Sequence, residues 1–189
     1  MALSEKDIPR KWMKSLKASS SMEGGSQQEV FSWCVAHVKP RCEKKLAQYC
    51  EDWQMDYVLP LYDSLKSYPT KKIVFQKPYF PGYVFIHTSP ENHPLLKKCK
   101  HLARLIMVTN QALFYKQLEA VLLAISSDID LLPMPEIKPG ILVKIRNGPL
   151  KGVEGLVEER VGLCKVCLKL DFIGQGVALQ VEADNLEVI

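Results

Sequence analysis

Cys34 and His37, Cys164 and Cys167, and the histidines at 87, 93 and 101 are among the side chains with types and spacings to test for covalent or metal chemistry. A thiol nucleophile needs a base within hydrogen-bond reach. Cys34 and His37 lie three apart in FSWCVAHVK, which alternates like a strand, so they face opposite ways. Cys164-Lys-Val-Cys167 has the spacing of a metal or redox pair. In a strand the same spacing sends one thiol inward and the other outward. Structural zinc also needs a second ligand pair, and no CxxC or HxxxH accompanies this one. His87, His93 and His101 have no nearby GxSxG, HExxH or paired carboxylates. Gly148, Gly152 and Gly155 follow no strand-to-helix turn, so they do not form a phosphate cradle. No catalytic residue, metal or cofactor is expected, and the chain reads as a binding protein, not an enzyme.

Two other sets suit binding. Lys39, Arg41, Lys44, Lys45, Lys97, Lys98, Lys100 and Arg104 gather near expected strand and helix ends. On one rim they would contact phosphates or flipped bases; scattered, they form an ordinary solvated face. Tyr79, Phe80 and Tyr83 crowd the Pro-Gly corner of PYFPGYVF. They either line an apolar seat for a partner's helix or fill the core at a strand entry. Sequence chemistry leaves both pairs of readings open.

The elements that must carry these residues follow from periodicity. Residues 1–30 include SLKASSSMEGGSQQ and are expected to be a disordered polar tail. A strand over Phe31–Val38 is apolar on both faces, and a helix is expected from about Arg41 to Trp53 with Cys42, Leu46, Tyr49 and Trp53 on its apolar stripe. Further strands are expected at 57–62, 71–76, 83–87 and 104–108, a helix at 94–102, and a last helix at 115–126. This β-α-β-β-α-β-α order describes an α/β sandwich over residues 31–130. LLPMPEIKPG then supplies a stiff Pro-rich linker at 131–138.

Residues 139–189 read as short strands only: 141–145, 153–159, 163–170, 177–181 and 186–189. In VKIRNGPLKGVEGLV, Asn147-Gly148-Pro149 marks a turn, and Gly152 and Gly155 mark a bulge, corner or close approach. A small SH3-like β-barrel is expected, making the fold class α+β overall.

At 47% apolar residues, the composition is that of an ordinary water-soluble protein. No apolar run approaches the roughly 20 residues of a membrane helix, and the first residues are too polar for a secretory signal. Six reduced cysteines and a cytoplasmic location are expected, with no membrane partner. Net charge is +1 over residues 1–30, +4 over 31–133 and −1 over 134–189, so the middle of the chain is the part suited to a polyanion.

These pieces together resemble the NusG-like transcription elongation and antitermination factors, over about residues 31–189. The resemblance rests on Trp33-Cys34 on the first strand, KPRCEKK at the strand-to-helix turn, YVLPLY, FPGYVF and the KOW-like VKIRNGPLKGVEGLV. It implies an NGN-like domain that docks on the clamp helices of RNA polymerase and suppresses pausing or termination. Carried over, Trp33, Tyr79, Phe80 and Tyr83 would form the polymerase-binding surface. Lys39, Arg41, Lys44 and Arg104 would form the nucleic-acid-binding set facing the displaced non-template DNA strand. Gly148, Gly152 and Gly155 would belong to the KOW motif, with Gly152 its key glycine. The KOW barrel would recruit a protein such as a ribosomal protein or a termination factor. Cys34 stands where the family usually has tyrosine, and the polar tail departs from the common pattern. The motifs lean toward a specialised, operon-targeted paralogue. The alternative is a KOW-containing ribosomal or RNA-binding module, against which the −1 charge of residues 134–189 speaks.

Overall fold

The computed structural model describes residues 31–67, 70–127, 129–134, 140–157 and 163–189. The expected tail and half of the expected Pro-rich linker, residues 135–138, lie outside them. The described residues form two compact units, one ending at Gln111 and the other beginning at Ala112.

The first unit contains β1 (Ser32–Val38), α1 (Glu43–Asp52), β2 (Asp56–Val58), β3 (Leu61–Ser67), β4 (Lys72–Pro78), β5 (Tyr83–Thr88), α2 (His93–Lys98) and β6 (Leu102–Met107). Four of the strands make an antiparallel sheet in the order β2-β5-β1-β6. β1 lies inside this sheet and from Trp33 to Val38 is buried on both faces except at His37, as its continuous apolar run predicts. Cys34, Ala36 and Val38 share one face with Val84 and Ile86 of β5, and Leu46 and Cys50 of α1 and Leu96 cover them. The remaining pair, β3 and β4, forms a separate two-stranded ribbon.

Local chemistry moves several boundaries. Residues 57–62 form two strands, not one: Pro60 lacks an N–H to donate, and its carbonyl instead accepts the Tyr79 N–H at 3.0 Å. Trp53, expected on the buried stripe of α1, is 54% exposed. The helix has ended there, with Gln54 in a left-handed conformation at φ 54° and Met55 N–H bonded back to the Cys50 carbonyl. α2 stops at Lys98 because Cys99 is already extended.

The second unit contains α3, whose full range is Gln111–Ser126, then β7 (Leu132–Met134), β8 (Ile141–Ile145), β9 (Glu154–Val157), β10 (Leu163–Leu170), β11 (Gln175–Glu182) and β12 (Leu186–Val188). Its six strands pair antiparallel in the order β12-β8-β9-β10-β11-β7. That order is linear, and among the described residues no ladder joins β12 to β7. Three residues of the expected linker are therefore strand β7, paired with β11. α3 meets this sheet through Gln117 and Asp171, through Lys116–Glu154 at 3.1 Å, and through Phe114 edge-on to Phe172.

Between β8 and β9 the chain reverses through Gly148 and Gly152, at φ 83° and 88°, where side-chain-bearing residues are strained. Gly155 is needed for a different reason: a Cβ there would lie 2.6 Å from Val166 Cγ1 and 2.9 Å from the Cys167 carbonyl oxygen. The two thiols of the CxxC are both buried, correcting the expectation that one faces outward. Both faces of β10 are covered at these positions, and Cys167 packs with Ala178 and Leu156.

Candidate nucleic-acid interface

At one end of the first sheet the ladder irregularity between His37 and Val38 re-aims the strand. His37 is opposite Tyr83 on β5 and opposite Arg104 on β6, so three side chains from three strands form a row. The His37 and Tyr83 rings lie 5.2 Å apart, tilted by 34°. His37 and Arg104 are exposed and Tyr83 is half-buried. An exposed aromatic surface beside a guanidinium suits an unpaired base next to a phosphate.

The β1–α1 turn adds cations to this row. Lys39 N–H donates to the His101 carbonyl at 3.0 Å, and Cys42 N–H donates to the Lys39 carbonyl at 3.0 Å. Arg41, between them, holds a left-handed φ of 58°, which costs a non-glycine residue about 1 kcal/mol. Lys39 and Arg41 are both exposed.

Beside the turn, α1 and the end of α2 enclose an open groove of about 470 Å³. Lys45, Gln48, Tyr49 and Asp52 line it from α1, and Lys98, Cys99, Lys100 and His101 from the opposite side. The Tyr49 hydroxyl donates to the Leu95 carbonyl at 3.0 Å, which fixes this wall. His101 has its pKa lowered, first by its half-buried setting and then by Lys100, Lys45 and Lys39. Lys45, Lys98 and Lys100 outnumber Asp52 on the walls, so the groove carries net positive charge and attracts an anion.

The structure thus brings Lys39, Arg41 and Arg104 to one end of the sheet. Lys44 is exposed on α1, but Lys45, not Lys44, lines the groove. His37 and His101 were missed as binding residues. The only sequence signal for His37 is a polar ring on an otherwise apolar face.

The expected polymerase-binding set does not form an open seat. Trp33, Tyr79 and Phe80 are 4%, 5% and 0% exposed, so they are interior side chains. Tyr83 N–H closes a turn onto the Phe80 carbonyl, and the Phe80 ring packs edge-on to Phe85 at 5.4 Å. Tyr79 packs against Tyr62, and Trp33 against the buried His87. The Gln111 amide brackets the Trp33 backbone with two bonds of 2.8 Å. Of the four, only Tyr83 reaches the rim. Among the described residues no group of three or more His, Cys, Asp or Glu is placed to hold a metal ion.

Residues 31–120 match the family model described as NusG, transcription termination factor nusG. Over these residues the chain is NusG-like. The match to the NusG model contains every residue of the row and groove, and ends before the sheet of residues 132–188. A solved structure titled "Crystal Structure of MjSpt4:Spt5 complex conformation B" is 17% identical, covering 83% of this chain and 96% of that chain at a TM-score of 0.27. At that score it carries no argument. None of the curated proteins matches the chain. No helix among the described residues is long and apolar enough to cross a membrane.

Proposed function

We propose that this protein is a transcription elongation or antitermination factor. In this reading its NusG-like domain binds the clamp helices of RNA polymerase and suppresses pausing or termination. The row Tyr83, His37, Arg104, with Lys39, Arg41 and the lysine groove, contacts the displaced non-template DNA strand. The antiparallel sheet of the second unit is a KOW module that recruits a further protein, a ribosomal protein or a termination factor. The role is one of binding, without catalysis or cofactor, in the cytoplasm, and of the specialised, operon-targeted kind.

The family match over residues 31–120 carries this reading. The aromatic row flanked by exposed cations supports it, because stacking and phosphate contacts together suit a single strand with unpaired bases.

The test uses elongation complexes assembled with RNA polymerase on a scaffold bearing an open non-template strand. The full chain is expected to co-purify with them and shorten pauses. Arg104→Ala is expected to weaken crosslinking to the non-template strand while leaving retention on polymerase intact. A chain that ignores polymerase yet binds free RNA would replace this reading with that of an RNA-binding module.

A further inference from the structure

Glu43 opens α1 and is a buried acidic side chain, 9% exposed. A carboxylate taken from water is costly unless it accepts hydrogen bonds. Glu43 Oε1 accepts one from the Gly82 N–H at 2.9 Å. The Gly82 carbonyl, in turn, accepts the Val38 N–H at 2.8 Å. Both polar groups of Gly82 are therefore held, one by α1 and the other by β1.

Gly82 is the corner from which Tyr83 leaves. Its φ of 86° favours glycine, and a Cβ there would lie 3.7 Å from His37 Cδ2 and Nε2. The corner thus lies close against the His37 ring. Rotation of the Gly82 peptide would swing Tyr83 away from the ring it now meets at 5.2 Å. Glu43 acts on the row through the Gly82 backbone that aims it.

We propose that Glu43 is a positioning residue, whose hydrogen bond to the Gly82 amide sets Tyr83 against His37 as a joined aromatic platform for the unpaired bases of single-stranded DNA. This rests on the nucleic-acid reading of the row. The carboxylate belongs at this place for a second reason, since a negative charge in the first turn of a helix is favourable.

The test uses the full chain. Glu43→Asp keeps the negative charge favoured in the first turn but withdraws the oxygen by one methylene. Glu43→Gln removes the charge but keeps an oxygen that reaches the amide. Binding of a fluorescein-labelled, mixed-sequence single-stranded DNA 12-mer is expected to weaken about tenfold in Glu43→Asp, the scale of one lost charge-assisted bond. Glu43→Gln is expected to stay within about twofold of the parent, and Glu43→Asp to lose nothing further in a Tyr83→Ala background. Equal losses in the Asp and Gln variants, or additive losses with Tyr83→Ala, overturn the proposal. Nuclear Overhauser contacts between the His37 and Tyr83 rings are measured in parallel. Their loss in Glu43→Asp and retention in Glu43→Gln upholds the positioning role even if the parent protein does not bind the 12-mer, an outcome that sinks only the DNA reading. Ring contacts unchanged in Glu43→Asp overturn it.

Discussion

His101 sits in a groove with Lys45, Lys98 and Lys100 on its walls and Asp52 across from it. Its half-buried position, then Lys100, Lys45 and Lys39, hold its pKa below the ordinary imidazole value of 6.5. The ring therefore gains its positive charge at a lower pH than an ordinary imidazole does. A bound phosphate favours the charged form, so by linkage the groove binds an anion more tightly as pH falls. Titrating single-stranded DNA affinity from pH 7.5 to 5.5 is expected to show tighter binding in acid, with a smaller change in His101→Gln. An identical pH slope in the variant would remove His101 from the site. None of this was visible in the sequence beyond the bare set of lysines. Charge repulsion requires the α1 residue Lys45 to face Lys100 and His101, which is a matter of helix docking.

At the scale of the element, the PYFPGYVF corner divides its rings between interior and rim. Phe80 is fully buried against Phe85, whereas Tyr83, three residues on, stands beside exposed His37. Phe80→Ala is expected to destabilise its unit by about 3–5 kcal/mol in urea unfolding, the cost of emptying a buried aromatic site. Tyr83→Ala is expected to cost under about 1 kcal/mol there. Comparable losses from the two would mean that the rim ring is also core. The strands themselves were legible: β1, β5, β8 and β10 follow from alternation and apolar runs, and the β8–β9 turn from its glycines and proline. The break at Pro60 was not read, although a proline inside an apparent strand signals one. The burial of both Cys164 and Cys167 was not readable from spacing, because alternation gives the face a side chain points to but not what covers it.

Across the whole molecule, charge separates along the chain, +4 over residues 31–133 against −1 over 134–189. If the row and groove hold a single strand through three to five cations, the log of affinity falls against the log of salt with a slope of about −2 to −3.5, at roughly −0.7 per phosphate. Arg104→Ala is expected to flatten the slope by about 0.7. A salt-independent affinity would leave the patch a solvated face. The amino-acid order alone determined the kinds of element, the turn glycines, the concentration of positive charge and the motifs of the NusG-like segment. Each of these is encoded by residues near one another along the chain, through periodicity, backbone conformation and composition. Only the tertiary structure decided that Phe80, Tyr79 and Trp33 face inward, that His37 joins Tyr83 and Arg104, and that Glu43 reaches Gly82. Those outcomes depend on the register between strands and on the packing of α1 against them, which unite residues far apart in sequence and which no local pattern specifies.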